Sequence, residues 1–165
     1  MVIGILPATA GASDDNFEGN IFSLYAGNGS LVPPRVDLAQ SLGRDRPSLL
    51  VFYLEDSRDC KQFVTTISQL QASYGKVASF IPINTDSLAA EPTDDPTDVR
   101  FYFNGRVPQT VLVAGDGEVT FDGVGQVRYE AIDNAFREVF DLLPREESVE
   151  LKRRVLNEFN VELTR

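Results

Sequence analysis

Apolar residues fall in bursts along this chain, and the spacing within each burst differs. Residues 48 to 54, "SLLVFYL", are almost continuously apolar between Pro47 and Glu55-Asp56, the pattern of a strand buried on both faces of a sheet. From Cys60 onward the spacing changes to three, four, three and four, through Phe63, Ile67, Leu70 and Tyr74. Those positions share one face of a helix over 57–74, and Gly75 ends it. "VASFIPIN", 77–84, predicts a second strand whose pairing Pro82 constrains. "QTVLVA" and "EVTFDGVG" predict two strands joined through Gly115-Asp116-Gly117, a hairpin signal. A helix from about Arg128 to Leu142 follows, with Ile132, Ala135, Phe136, Val139 and Phe140 on one side. Beyond Pro144 the pattern predicts a last, charged helix from 146 to about 160.

Between these elements the signals are weaker. Residues 14–47 are rich in Gly, Asn, Asp, Pro and Ser; within them Ile21 to Tyr25 reads as a short strand and Val36 to Leu42 as a helical turn. Asp95-Pro96 offers an N-cap and first position for a short helix through Phe103, closed by Asn104-Gly105. "EPTDDPTD" reads as a solvated loop; the EF-hand spacing of a calcium loop is missing. The order β, α, β, α, β, β, α makes the chain α/β, with a parallel start and a terminal hairpin. Three segments result: an N-terminal leader and extension over 1–47, one folded domain over 48–142, and a C-terminal helical extension over 143–165.

Composition narrows the chemistry. Fifteen basic against 25 acidic residues give a net charge of −10, so phosphate-rich surfaces are repelled and nucleic acid is no expected partner. Proteins are. With no histidine and one cysteine, a transition-metal site, histidine acid–base catalysis and a Ser/His triad all lack their usual groups. No metal or other cofactor is expected. A lone cysteine makes no internal disulfide, so the redox compartment is not legible. "MVIGILPATAGAS" joins a short apolar run to Ala8-Thr9-Ala10, an A-x-A cleavage-like pattern. It reads either as the tail of a longer targeting or anchoring segment, and hence a route to membrane association, or as an ordinary loose terminus.

The element order, a cysteine in the first helix after a buried strand and an X-Pro before the hairpin together resemble the thioredoxin fold: a central mixed β-sheet flanked by helices, here with an N-terminal extension and an extra C-terminal helix. Where that family carries Cys-x-x-Cys-Lys, this chain reads Ser57-Arg58-Asp59-Cys60-Lys61. Pro108 in "GRVPQT" matches the family's cis-proline, and Ile83-Asn84-Thr85-Asp86 is similar to the end of its central strand. The resemblance places Val51 where the family has a buried proton-relaying aspartate, Asp56 in place of its aromatic residue and Asp59 in place of its motif proline. Dithiol exchange needs a reactive thiolate and a second, resolving thiol, and Ser57 supplies neither. Enzymatic dithiol exchange is therefore not expected.

Ser57, Arg58, Asp59, Cys60, Val107 and Pro108 remain as a candidate binding or redox surface. Two readings of Cys60 stay open. Its place at a helix start, with Arg58 and Lys61 beside it, favours a thiolate; its place on the apolar stripe, with Glu55, Asp56 and Asp59 nearby, favours a buried neutral thiol. Ser57 is an N-cap or part of that surface. Toward the C-terminus, Val155, Leu156, Phe159 and Leu163 pack on the domain or offer a partner an apolar seam, and the 151–154 "LKRR" cluster is a solvated face or a lipid-headgroup contact.

"RPSLLVFYLEDSRDCKQF", "FNGRVPQTVLVAGDGEVTFDGVGQ" and "LKRRVLNEFNVELT" further resemble cyanobacterial thioredoxin-like thylakoid membrane proteins described as photosystem I accumulation factors. The resemblance implies a protein of the thylakoid membrane or lumen, with the periplasm as the second location, that promotes photosystem I biogenesis or stability by binding its subunits or assembly factors. The alternative is a single-cysteine redox protein or sensor acting through Cys60.

Overall fold

Four strands make one mixed sheet in the computed structural model, which describes residues 20–142. They are β1 (Ser48–Tyr53), β2 (Ser79–Asn84), β3 (Gln109–Val113) and β4 (Val119–Val124). The spatial order is β2-β1-β3-β4. β1 runs parallel to β2 and antiparallel to β3, and β3 pairs antiparallel with β4 through a bulge at Leu112/Val113. This order and pairing make the domain thioredoxin-like. Every residue of β1 is buried, as its continuous apolar run requires. β2 is an edge strand, which is where a strand proline is tolerated, and Pro82 sits in it opposite Val51.

The helix joining β1 to β2 is Arg58–Tyr74, and its buried residues are Cys60, Phe63, Val64, Ile67, Leu70 and Tyr74. Two shorter helices precede β1. Asp37 and Gln40 form a reciprocal capping box on Leu38–Gly43, which fixes the turn expected at 36–42. We number the helices α1 (Ile21–Ala26), α2 (Leu38–Gly43), α3 (Arg58–Tyr74) and α4 (Tyr129–Val139).

Alternation along the strands divides the core between two faces of the sheet. On one, Leu50, Phe52, Ile81, Ile83, Val111 and Val113 cluster with Leu38 of α2. Phe103 stacks on Phe52 with centroids 5.0 Å apart. On the other lie Leu49, Val51 and Tyr53 of β1, and Tyr53 meets Phe22 of α1 edge-on at 5.1 Å.

Two local expectations are corrected. Ile21 to Tyr25 is helix, not strand. The Asn20 side chain caps Phe22 N, the Glu55 carboxylate accepts the N–H of Ile21, and Gly27 closes the helix in the left-handed region at φ 62°. Caps at both ends outweigh a five-residue pattern too short to carry a period. The helix expected from Asp95 through Phe103 shrinks to a 3-10 turn at Val99–Phe101. Asp95 instead binds the N–H and hydroxyl of Thr97, at 2.9 and 2.7 Å, and Asp98 takes over the cap through Arg100 N at 3.0 Å.

The chain divides into two compact units at Val127/Arg128. In the second, α4 buries Ile132, Asp133, Ala135 and Phe136. An Arg137–Asp133 ion pair at 3.0 Å joins successive turns of it, and Phe136 stacks on Phe140. The A-x-A leader, the charged helix from 146 and the "LKRR" cluster lie outside the described residues.

Candidate functional site

The site begins where β1 ends. Antiparallel pairing sets Phe52 opposite Gln109, so the chain leaving β1 toward α3 lies beside the chain entering β3 from Pro108. Ser57 is the N-cap of α3: its Oγ accepts from Cys60 N at 3.2 Å and its carbonyl from Lys61 N at 3.0 Å. The hydroxyl is thereby occupied as a helix cap. Cys60 is 1% exposed and shares the inward stripe with Phe63 and Ile67, whereas Arg58 and Asp59 are exposed.

The second strip is the Val107–Pro108 turn, whose peptide bond is cis. Pro108 is buried and Val107 half-buried. The Pro108 carbonyl accepts from Gly125 N at 2.8 Å, and the next residue, Gln126, donates through Nε2 to Asp59 Oδ1 at 3.1 Å and to Gln62 Oε1 at 2.8 Å. Two consecutive residues after β4 thus hold the proline turn with one hand and the first turn of α3 with the other. The six residues singled out from the sequence fall at one end of the sheet.

Gln109 was not among them, yet it organises the turn. It is fully buried. Its Nε2 donates to Tyr102 O at 2.8 Å and to Asp122 Oδ1 at 3.1 Å, and its Oε1 accepts from Asn104 N at 2.9 Å. Every hydrogen-bonding position of that amide except one lone pair has a partner. The signal was present as a polar residue opening an apolar strand run, which demands a buried partner.

A second polar group lies beside α1. Asn20 Nδ2 donates to Tyr53 Oη at 2.7 Å and to Glu55 Oε2 at 2.6 Å, while Glu55 Oε1 accepts from Ile21 N at 3.0 Å. Burial pushes the Tyr53 phenol up to about 12, and the neighbouring Glu55 charge adds to this against the opposing Asn20 hydrogen bond. Burial also raises the Glu55 carboxyl above its usual range, against the pull of the Ile21 N–H. Among the described residues no group of three acidic, cysteine or histidine side chains is placed to hold a metal ion, and no helix is long and apolar enough to cross a membrane.

No protein-family model matches the chain. A curated relative does: the chain is 49% identical over 156 residues to the thylakoid membrane protein slr1796 of Synechocystis sp. (strain PCC 6803), an alignment covering 94% of this chain and 78% of that protein. Among solved structures, the germline-specific thioredoxin Deadhead of Drosophila melanogaster aligns with 57% of this chain and 81% of its own at 19% identity and a TM-score of 0.45. A chain from a structure of the thiol-resolving mechanism of yeast mitochondrial 1-Cys peroxiredoxin aligns with 63% of this chain and 86% of its own, at 17% identity and a TM-score of 0.45.

Proposed function

Because the chain belongs to the family of the thylakoid membrane protein slr1796, we propose that it acts at the thylakoid as a thioredoxin-like binding module that holds protein partners without dithiol chemistry. One observation carries the reading: the only cysteine of the chain is 1% exposed, and the residue in the place of a first cysteine is a serine serving as a helix cap. Disulfide exchange proceeds through an accessible thiolate and a second thiol that resolves the mixed disulfide. Neither is on offer.

What the site does offer is a surface. Exposed Arg58 and Asp59 lie at the helix start and exposed Arg106 beside the half-buried Val107, around a turn braced by Gly125 and Gln126. An extended segment of a partner is the shape such an edge accommodates. The partner class is a photosystem I subunit or a factor in its assembly, on the resemblance of residues 46–63, 103–126 and 151–164 to photosystem I accumulation factors. Membrane association is assigned to the segment ahead of the described residues.

Cross-linking capture from thylakoid membranes with wild type and Cys60→Ala tests this. Both proteins should retain the same photosystem-related partners, and purified wild type should fail to reduce insulin at the rate of a dithiol thioredoxin. Loss of every partner in Cys60→Ala, or brisk insulin reduction, would transfer the function to the thiol. The competing reading, a sensor acting through Cys60, requires alkylation of that thiol in the native protein at a rate that follows its ionisation. A thiol that reacts only on unfolding removes it.

A further inference from the structure

Along the outer side of edge strand β2 runs a cavity of about 950 Å³. It lies apart from the Ser57–Pro108 site. Its floor is the Ile81–Asn84 end of β2, and the opposite wall comes from the Val32–Leu38 stretch before and into α2. Half-buried Pro34, Val36 and Val99 give it apolar surface, with the buried Val32, Leu38, Ile81 and Ile83 behind them, and its size accommodates a small molecule. An added peptide strand is a poorer fit, because Pro82 has no N–H to offer along that edge.

One side of the cavity is polar and built. Asn20, Tyr53 and Glu55 all line it. A carboxylate has roughly four acceptor sites; Ile21 N and Asn20 Nδ2 each take one on Glu55, and the Tyr53 hydroxyl is also hydrogen-bonded to it. An acceptor position remains. Arg35 and Asp37 are the other charged lining residues, no ion pair is formed by Glu55 among the described residues, and Lys61 acts on it only as a nearby charge. Burial raises the protonation range of Glu55 and outweighs the opposing pull of the Ile21 N–H, the Tyr53 hydroxyl and the Lys61 charge. The surrounding chain carries a net −10, which draws cations and repels anions.

We propose that this cavity is a binding site for a small apolar molecule bearing a protonated primary amine, its chain along the Val36 side of the cavity and its ammonium on Glu55. A charge-assisted hydrogen bond to a carboxylate is roughly twice as strong as a neutral one, so the head group decides the ranking among ligands of equal length.

The test uses the full chain and three eight-carbon probes: octylamine, which is an ammonium at neutral pH, octanol and octanoate. Each is titrated against a neutral environment-sensitive dye held in the cavity. Octylamine should displace the dye at least tenfold more tightly than octanoate, with octanol between them. In Glu55→Gln the amine preference should collapse to within about threefold, and in Val36→Trp, which adds bulk to the apolar lining and keeps the Glu55 carboxylate in the sequence, all three probes should weaken at least tenfold. Circular dichroism checks that each variant is folded. Equal binding of the three probes to wild type, an amine preference that survives in folded Glu55→Gln, unweakened octylamine binding in folded Val36→Trp, or no displacement by any probe overturns the proposal. Even where Glu55→Gln does not fold, a wild-type ranking other than amine, alcohol, acid overturns the proposal, and a ranking that persists in high salt, where the net charge of the chain is screened, supports it.

Discussion

Tyr53 and Glu55 of the corner they form with Asn20 directly precede the Ser57–Cys60 turn along the chain, yet corner and turn treat reactive side chains in opposite ways. At the turn, the serine is spent as a helix cap and the thiol is closed off among apolar neighbours. At the corner, a phenol and a carboxyl are drawn into a hydrogen-bonded group beside a cavity, and burial shifts the protonation of both. Residue type alone therefore misleads about where chemistry is concentrated. The cysteine is buried on the apolar stripe of α3, and a phenol and a carboxyl with raised protonation ranges meet where the N-terminal extension closes against β1.

The strongest way to break the contrast is to remove what holds the turn in shape. Gln109→Ala strands Asn104 N–H, the Tyr102 carbonyl and Asp122, all of which the amide now serves. Asn104 and Asp122 are exposed and water replaces the amide there. The cost therefore falls on the part-buried Tyr102 carbonyl, roughly 1–3 kcal/mol, and on the space left by the buried Gln109 side chain. The expected loss in urea unfolding is roughly 2–3 kcal/mol. A loss under about 1 kcal/mol means that the turn is held by something other than Gln109.

The corner is tested by alkali. The Tyr53 pKa is raised from 10.0 to about 12, so the folded state holds that proton more tightly than the unfolded chain does. Its contribution is fully present below pH 10 and is lost as pH climbs through about 12. A shift of that size corresponds to at most roughly 2–3 kcal/mol, and solvent screening at the open side of the cavity trims it toward about 2 kcal/mol. Denaturation measured from pH 9 to 12 should show that loss in wild type and a shallower slope in Tyr53→Phe. Glu55 runs the same way at lower pH: its raised folded pKa makes its contribution greatest below 4.5 and smaller as pH rises through the folded value. Equal alkaline slopes in wild type and Tyr53→Phe would place the phenol in water and undo the contrast.

Cys60→Ala sharpens the other half. The substitution removes one buried sulfur from the stripe with Phe63 and Ile67, a small cavity that costs roughly 1–2 kcal/mol. Stability should fall by that amount while partner capture from membranes is unchanged. Capture that falls with stability intact would give the thiol a role beyond packing.

The elements with a sustained period were legible from the sequence: β1 by its unbroken apolar run, α3 by five residues on one face, the hairpin by Gly117, which adopts φ 93°. The end of the sheet that gathers Ser57, Cys60 and Pro108 was legible by resemblance. What escaped depends on partners far apart in the chain. α1 takes part of its N-terminal capping from Glu55, 34 residues beyond Ile21. The corner needs Asn20 beside Tyr53, 33 residues away. The 95–103 stretch turned on a local competition, in which Thr97 claimed the Asp95 carboxylate before a helix cap formed.

Gln109 and Thr110 give the finest form of the contrast, because they are neighbours on β3 and both fully buried. The amide is paired on both of its atoms. The Thr110 hydroxyl, among the described residues, has no hydrogen-bond partner. A buried hydroxyl without a partner forfeits its hydration and recovers nothing. Thr110→Val keeps the branched shape that suits a strand and deletes the orphan, so the variant should gain roughly 0.5–1 kcal/mol by the same urea measurement, opposite in sign to Gln109→Ala. A loss instead of a gain would mean that the hydroxyl binds a water within the sheet's buried face, and that its pairing there matters as much as that of its neighbour.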